Sequence, residues 1–212
     1  MIKIKHYTIL LACFIVASCA NPINDHTYHK YQRLSQEASR SGNLEAAEEY
    51  DKRAIINARI GNLGDEKLAQ ALHNLALTKH DLCKLDESEE LLLEAIRIRE
   101  KMQADGSLKS KNKKYLIGSY LELSALYFSR NKYNESIPGF EKVLPEMRVA
   151  TENTDNGKYM LSSFLNEYAI ALEKTSKIEK MNAIRIEENK VLNGEKPTYV
   201  NLASILRHPK CK

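Results

Sequence analysis

From Tyr28 onward, apolar residues return every three or four positions, the period of one helix face. Leu68, Ala71, Leu72, Leu75, Ala76 and Leu82 form one stripe, and Leu91, Leu92, Ala95, Ile96 and Ile98 form the next. The stripes come in pairs, and the pairs recur. Tyr31, Leu34, Ala38, Gly42, Asn43, Leu44 and Ala47, followed by Ala54 and Ile55, set the first block. Leu72, Leu75, Ala76, Lys79, Cys83, Lys84, Leu85 and Ser88, followed by Ala95 and Ile96, repeat its spacing. A third block runs through Tyr120, Leu123, Ser124, Tyr127, Asn131, Lys132, Tyr133 and Ser136 to Val143 and Leu144. A weaker fourth runs through Leu165, Tyr168, Ala169, Leu172, Ser176, Lys177, Ile178 and Met181. The turn positions are Gly42, Cys83, Asn131 and Ser176, at spacings of 41, 48 and 45 residues. The excess over a minimal helical pair falls after the second helix, at 101–113 and 151–157. Both stretches are polar and hold Gly106 or Gly157, which predicts loops or extended helix ends.

Small residues at Ala38, Ala47, Ala54, Ala76, Ala95 and Ala169 predict close approach of helix backbones. Tyr31, Tyr120, Phe140 and Tyr168 then fill the space between pairs. No pair buries its stripe alone, so stacked neighbours share an elongated core. This pattern resembles the tetratricopeptide repeat. Ala71-Leu72-His73-Asn74-Leu75-Ala76-Leu77, with Glu89, Leu91, Leu92, Glu94, Ala95, Ile96, Ile98, Arg99 and Glu100, is similar to the long-period repeats of the kinesin light chain type. The resemblance covers about residues 28–193. It implies an all-α fold, a right-handed α–α superhelix of about four helical hairpins. Cys83 and Asn131 stand where the family usually has Gly, and Asp51 where it has an aromatic.

The same resemblance implies that the first helix of each pair lines a groove for a partner protein or extended peptide. The positions carried over are His29, Gln32, Arg33 and Gln36 in the first repeat, and Gln70, His73, Asn74, Leu77 and His80 in the second. The third repeat supplies Leu121, Glu122, Ala125 and Phe128, and the fourth Asn166, Glu167, Ile170 and Glu173. Asn74 offers both donors and acceptors to an extended backbone. Leu77, Leu121 and Phe128 suit an apolar pocket. Arg33 with His29 suits an acidic group, and Glu122 with Glu167 and Glu173 a basic one.

Residues 1–18 read as a leader. Lys3 and Lys5 form a basic start, and Ile9 to Ala17 is an apolar run without charge. A membrane span needs about 20 apolar residues, so the run is too short for one and fits a cleaved signal segment. Val16-Ala17-Ser18-Cys19 resembles the lipobox of bacterial lipoproteins. That implies cleavage before Cys19 and acylation of Cys19. Ala20, in place of Asp, implies by the same resemblance the outer membrane of a diderm cell, facing the periplasm. An ordinary secretory leader with an incidental Cys, or an unprocessed anchor, is the alternative. Residues 19–27 are polar, hold Pro22, and are expected to be a lipidated Cys and tether. Residues 194–212 are expected to cap the array or fray, with a short helix around 200–206.

Composition narrows the function classes. Eight Gly and five Pro in 212 residues leave few turns, which favours long helices. Loss of residues 1–18 takes Lys3 and Lys5 and lowers the formal charge from +4 to +2, no basis for nucleic-acid binding. His73, His80 and Cys83, and likewise His26 with His29, fall short of a convergent metal-ligand set. Paired acids such as Glu48-Glu49, Glu89-Glu90 and Glu187-Glu188 suit solvated helix faces. No motif for phosphate cradling or nucleophilic catalysis occurs, so neither an enzymatic activity nor a cofactor nor a metal is expected. Cys83 and Cys211 remain in the mature chain. Export permits a disulfide between them, but their separation favours Cys83 as a small buried filler at a tight turn. The function expected is a non-catalytic adaptor of the bacterial cell envelope. A structural, self-associating lipoprotein and a regulatory subunit of a periplasmic enzyme are the alternatives.

Overall fold

The computed structural model describes residues 21–152 and 156–193, together with residues 195 and 211. The leader, Cys19 and most of the expected C-terminal cap lie outside the described residues. Among those described there are eight α-helices and no strand. They are α1 (Pro22–Arg40), α2 (Leu44–Ile60), α3 (Asp65–Asp81), α4 (Leu85–Ala104), α5 (Lys113–Ser129), α6 (Tyr133–Thr151), α7 (Gly157–Lys174) and α8 (Ile178–Leu192). Contacts divide the chain into two units, residues 1–71 and 72–212, and the division falls inside α3. The expectation of an all-α chain of four hairpins holds.

The four hairpin turns share one backbone solution. Gly42, Cys83, Asn131 and Ser176 all adopt positive φ, at +78°, +57°, +59° and +58°. At each, the amide of the left-handed residue reaches back three residues and the next amide reaches back five. Gly42 N–H donates to Ser39 O (3.0 Å) and Asn43 N–H to Ala38 O (2.9 Å). Cys83 and Lys84 repeat this on His80 and Lys79, Asn131 and Lys132 on Phe128 and Tyr127, and Ser176 and Lys177 on Glu173 and Leu172. The paired bonds satisfy the last carbonyls of the first helix. Only the first turn also carries a side-chain cap for the second helix, Asn43 Oδ1 accepting from Ala46 N–H at 3.1 Å. Lys84, Lys132 and Lys177 occupy that place in the others and make no capping bond.

A prediction follows for the last turn. The left-handed region costs a non-glycine residue about 1 kcal/mol, and an Asn N-cap is worth about 1 kcal/mol over a non-capping residue. The double change Ser176→Gly, Lys177→Asn should therefore stabilise residues 72–212 by about 1–2 kcal/mol, read as a higher urea midpoint. An unchanged or lower midpoint would count against strain at Ser176.

The first unit packs on alanines. Ala47, Ala54 and Ala69 are fully buried, and Ala58 and Tyr28 nearly so. Tyr28 OH donates to Lys67 O (3.0 Å) and accepts from Gln32 Nε2 (2.7 Å), so a buried ring keeps its hydroxyl satisfied. α1 starts earlier than the polar sequence suggested. Asn21 caps it, accepting Ile23 N–H at 3.0 Å, and Pro22 sits at the first turn, where it displaces no helical bond. Much of the stretch expected as a tether is thus helix.

In the second unit, one continuous core runs from Ala76 through Phe140 and Phe164 to Ile184. Gly139 sets the approach of α5 and α6. A Cβ there would lie 1.9 Å from Ser124 Oγ and 3.1 Å from Tyr120 O. Ser88 plays a similar part between α3 and α4, donating to Ala76 O at 2.8 Å. Successive hairpins are also clipped together by charge. Glu100 on α4 pairs with Lys142 on α6 at 2.7 Å, with the Tyr120 hydroxyl of α5 bonded to both. Glu141 on α6 pairs with Lys180 on α8, and Tyr168 OH of α7 reaches Glu141 at 3.3 Å. The hydrogen bond from Lys142, then that from Tyr120, holds the Glu100 carboxyl below its ordinary pKa. The hydrogen bond from Lys180 does the same for Glu141. Depressed carboxyl pKa values mean that both clips act at neutral pH and weaken as pH falls through the carboxylate range.

Candidate partner-binding face

The first helices of the hairpins carry the positions expected to face a partner, and the structure divides them into groups. In the first unit, His29, Arg33 and Gln36 lie on the exposed side of α1, with Gln32 and Gln70 half-buried. His29 Nε2 lies 3.6 Å from Asp25 one turn back.

In the second unit, Asn74, Leu77, Leu121 and Phe128 are half-buried. Leu121 and Phe128 rest on the core while keeping part of their surface open. Phe128 is held edge-on by Tyr133 at 5.5 Å. Half-buried apolar side chains backed by a rigid core make good contact surfaces, because little rotamer freedom remains to be lost on binding. Glu122 and Glu167 are buried, 9% and 5% exposed, as are His80 and Ala125. The two glutamates therefore sit deeper than a solvated groove wall. Asn166 is turned toward α8, where its Oδ1 accepts from Arg185 Nη1 at 2.7 Å, and the same nitrogen bonds Glu188 at 2.8 Å. Ile170 is half-buried and Glu173 exposed.

His73 belongs to a polar node that the sequence reading passed over. Its Nδ1 lies 3.0 Å from Ser119 Oγ, which also bonds Arg99 Nη1 (3.1 Å) and Tyr115 O (3.0 Å). Arg99 is fully buried, and its guanidinium stands 5.7 Å from the centre of the Tyr115 ring. The node joins α3, α4 and α5. A signal for it exists in the sequence: Arg99 continues the buried stripe of Leu92, Ala95 and Ile96, ending at Met102, where a cation is out of place unless it is hydrogen-bonded.

Cys83 is not the buried filler that the sequence favoured. It is exposed at its turn and forms a disulfide with Cys211, with Cα atoms 5.4 Å apart. A cleft of about 520 Å³ opens beside the end of α6, lined by Arg148, Val149, Thr151, Lys158, Leu161 and Val191. Arg148 is engaged by Glu187 through two 2.7 Å bonds. Among the described residues, no group of three or more His, Cys, Asp or Glu is placed to hold a metal, and no helix is long and apolar enough to cross a membrane.

Residues 68–102, which span most of α3, its turn and most of α4, match the family model for the tetratricopeptide repeat. That stretch carries one tetratricopeptide-type repeat. Solved structures agree on the fold. BtubC (BKLC) from P. vanneervenii aligns over 84% of this chain and 68% of its own, at 20% identity and a TM-score of 0.61. Putative kinesin light chain nearly identical TPR-like repeats from Podosopora anserina align over 80% of this chain and 77% of their own, at 15% identity and a TM-score of 0.56. No curated protein matches the chain. The tetratricopeptide fold generally serves as a protein-interaction scaffold and not as a catalyst.

Proposed function

We propose that this tetratricopeptide chain is a non-catalytic adaptor of the bacterial cell envelope, anchored through an acylated Cys19 and capturing a partner protein or extended peptide on the first helices of its hairpins. The observation that carries the binding half is the set of half-open side chains Asn74, Leu77, Leu121 and Phe128 on first helices, of which Leu121 and Phe128 rest on the apolar core. An amide and three apolar side chains on first helices suit a peptide backbone with one or two apolar side chains. The Cys83–Cys211 disulfide supports the export half, because disulfides persist in oxidising compartments such as the periplasm and are rare in the bacterial cytosol. Acylation at Cys19 with two or more chains would anchor the protein stably, where one chain would not.

The two halves are tested separately. Cys19→Ala should move the protein from the membrane to the soluble fraction with its helical circular dichroism unchanged. Membrane retention with unchanged mass would end the lipoprotein assignment. A photo-crosslinking residue at Leu121 should give one discrete covalent adduct in living cells, and Asn74→Ala in the same chain should weaken it. Crosslinks only to further copies of the same chain would favour the self-associating alternative.

A further inference from the structure

The start of α1 and the end of α2 are clamped together. Asn21 N–H donates to Gly61 O at 3.0 Å. Gly61 has no side chain, and a Cβ there would lie 2.5 Å from Asn24 Cβ and 2.8 Å from Asn57 O. Cys19 is only two residues before Asn21. Two trans peptide links span at most about 7.6 Å between Cα atoms. An acyl group on Cys19 would therefore leave the protein at this end of the α1–α2 hairpin, with almost no slack.

The same end carries an apolar surface. Ile23 is 75% exposed, Ile60 74% and Ile56 51%. Ile56 and Ile60 are one turn apart and share a face of α2. Among the described residues of this unit, these three are its large exposed hydrophobics. None lies at the opposite end of the hairpin, around Gly42. Charge at this end is mixed: Arg59 stands one residue before Ile60, while Lys67 is paired with Asp25, and Lys52 and Arg53 further back on α2 are paired with Glu48 and Glu49.

We infer that Ile23, Ile56 and Ile60 form a membrane-contact surface. They rest in the headgroup and upper acyl region of the leaflet that holds the Cys19 lipid, so that α1 and α2 meet the bilayer end-on. The partner is a phospholipid surface. Isoleucines exposed at the end of the hairpin from which the lipid anchor departs lose water contact in the bilayer. The lipid thus sets attachment, and the three isoleucines set orientation. This rests on the lipoprotein assignment of Cys19.

The chain contains no Trp, so a single introduced indole reports its own surroundings. Ile60→Trp and, as a reference, Glu45→Trp would be made in the full, lipidated protein and bound to vesicles of phosphatidylethanolamine and phosphatidylglycerol with brominated acyl chains. Glu45 is exposed at the start of α2, about 22 Å along the helix from Ile60. The expected result is flotation of both variants with the vesicles. The Ile60→Trp emission shifts to the blue and loses most of its intensity to bromine, while the Glu45→Trp emission stays as in water. Adding Ile23→Glu and Ile56→Glu to the Ile60→Trp chain should restore most of the lost intensity without releasing the protein. Flotation with an unquenched Ile60→Trp indole overturns the contact surface and leaves the anchor standing. Equal quenching at both positions overturns the end-on orientation. A blue shift without bromine quenching overturns the lipid contact in favour of a second copy of the chain. Failure to float overturns the anchor itself, and the inference with it.

Discussion

Phe140→Ala should remove about 4 kcal/mol from the unfolding free energy of residues 72–212 and split a single urea transition into two. Phe140 is fully buried on α6. Its ring meets Phe164 of α7 edge-on at 5.3 Å, stacks on Tyr168 of α7 at 5.5 Å, and meets Phe128 of α5 edge-on at 6.2 Å. Truncating a buried Phe costs about 3–5 kcal/mol through lost transfer energy and the cavity left behind. Each aromatic pair adds roughly 0.5–1.5 kcal/mol beyond area. The residue also ties two hairpins together, α5–α6 and α7–α8. In a repeat array, stability is nearly a sum of hairpin terms and nearest-neighbour terms, so a weakened interface lets one hairpin melt before the other. Circular dichroism in urea reads both effects, with Val149→Ala as the reference. Val149 sits on the same helix but is 70% exposed, and its truncation should change stability by about 0.5 kcal/mol or less. One transition with a loss below about 1.5 kcal/mol would show that this aromatic cluster does not couple the two hairpins.

The turns were the most legible part of the fold, and the reason is local. A left-handed residue must separate two amphipathic stripes that reverse direction, so its place is fixed by where one stripe stops and the next begins. Gly42, Cys83, Asn131 and Ser176 were located on that basis although only one of them is glycine, and all four have positive φ. The start of α1 was legible too, in a different signal. Asn21-Pro22 is a cap followed by a residue suited to the first helical turn. The polar stretch around it reads as a tether only if periodicity alone is consulted.

The candidate site was legible by position and not by orientation. The spacing places Glu122, Asn166, Glu167 and His73 on first helices, as found. It does not say which neighbour each side chain meets, because that depends on how adjacent hairpins pack. Asn166 is drawn to Arg185 of α8, and His73 to Ser119 of α5. Both partners lie 19 or more residues away in the chain. Glu122 and Glu167 were expected to face a basic group of a partner and are buried instead. Charge type alone argued for exposure there, and tertiary context overrode it. The clips Glu100–Lys142 and Glu141–Lys180 were missed for the same reason, since each joins second helices of different hairpins.

The disulfide is the feature furthest from local pattern, and its loss should cost about as much stability as Phe140→Ala. Cys83 and Cys211 are 128 residues apart, so no sequence spacing connects them. The same separation makes the bond valuable. In the chain-entropy account, a cross-link that closes a loop of this length lowers the unfolded-state entropy by an amount worth about 5 kcal/mol, less any native strain. Cys211→Ser should therefore lower the stability of residues 72–212 by about 3–5 kcal/mol, and dithiothreitol should destabilise the native protein to a similar extent. Cys83→Gly breaks the same bond but also relieves a left-handed non-glycine residue, worth about 1 kcal/mol. It should therefore melt above Cys211→Ser by that margin. On the proposed acylation of Cys19 and loss of Cys13 with the leader, the mature protein should show no free thiol before reduction and two afterwards. Cys83 is exposed, so an added reductant should reach the bond without prior unfolding. Two free thiols in freshly purified protein, or a melting temperature indifferent to reductant, would show that the bond is not formed. The support it lends to an oxidising compartment would go with it.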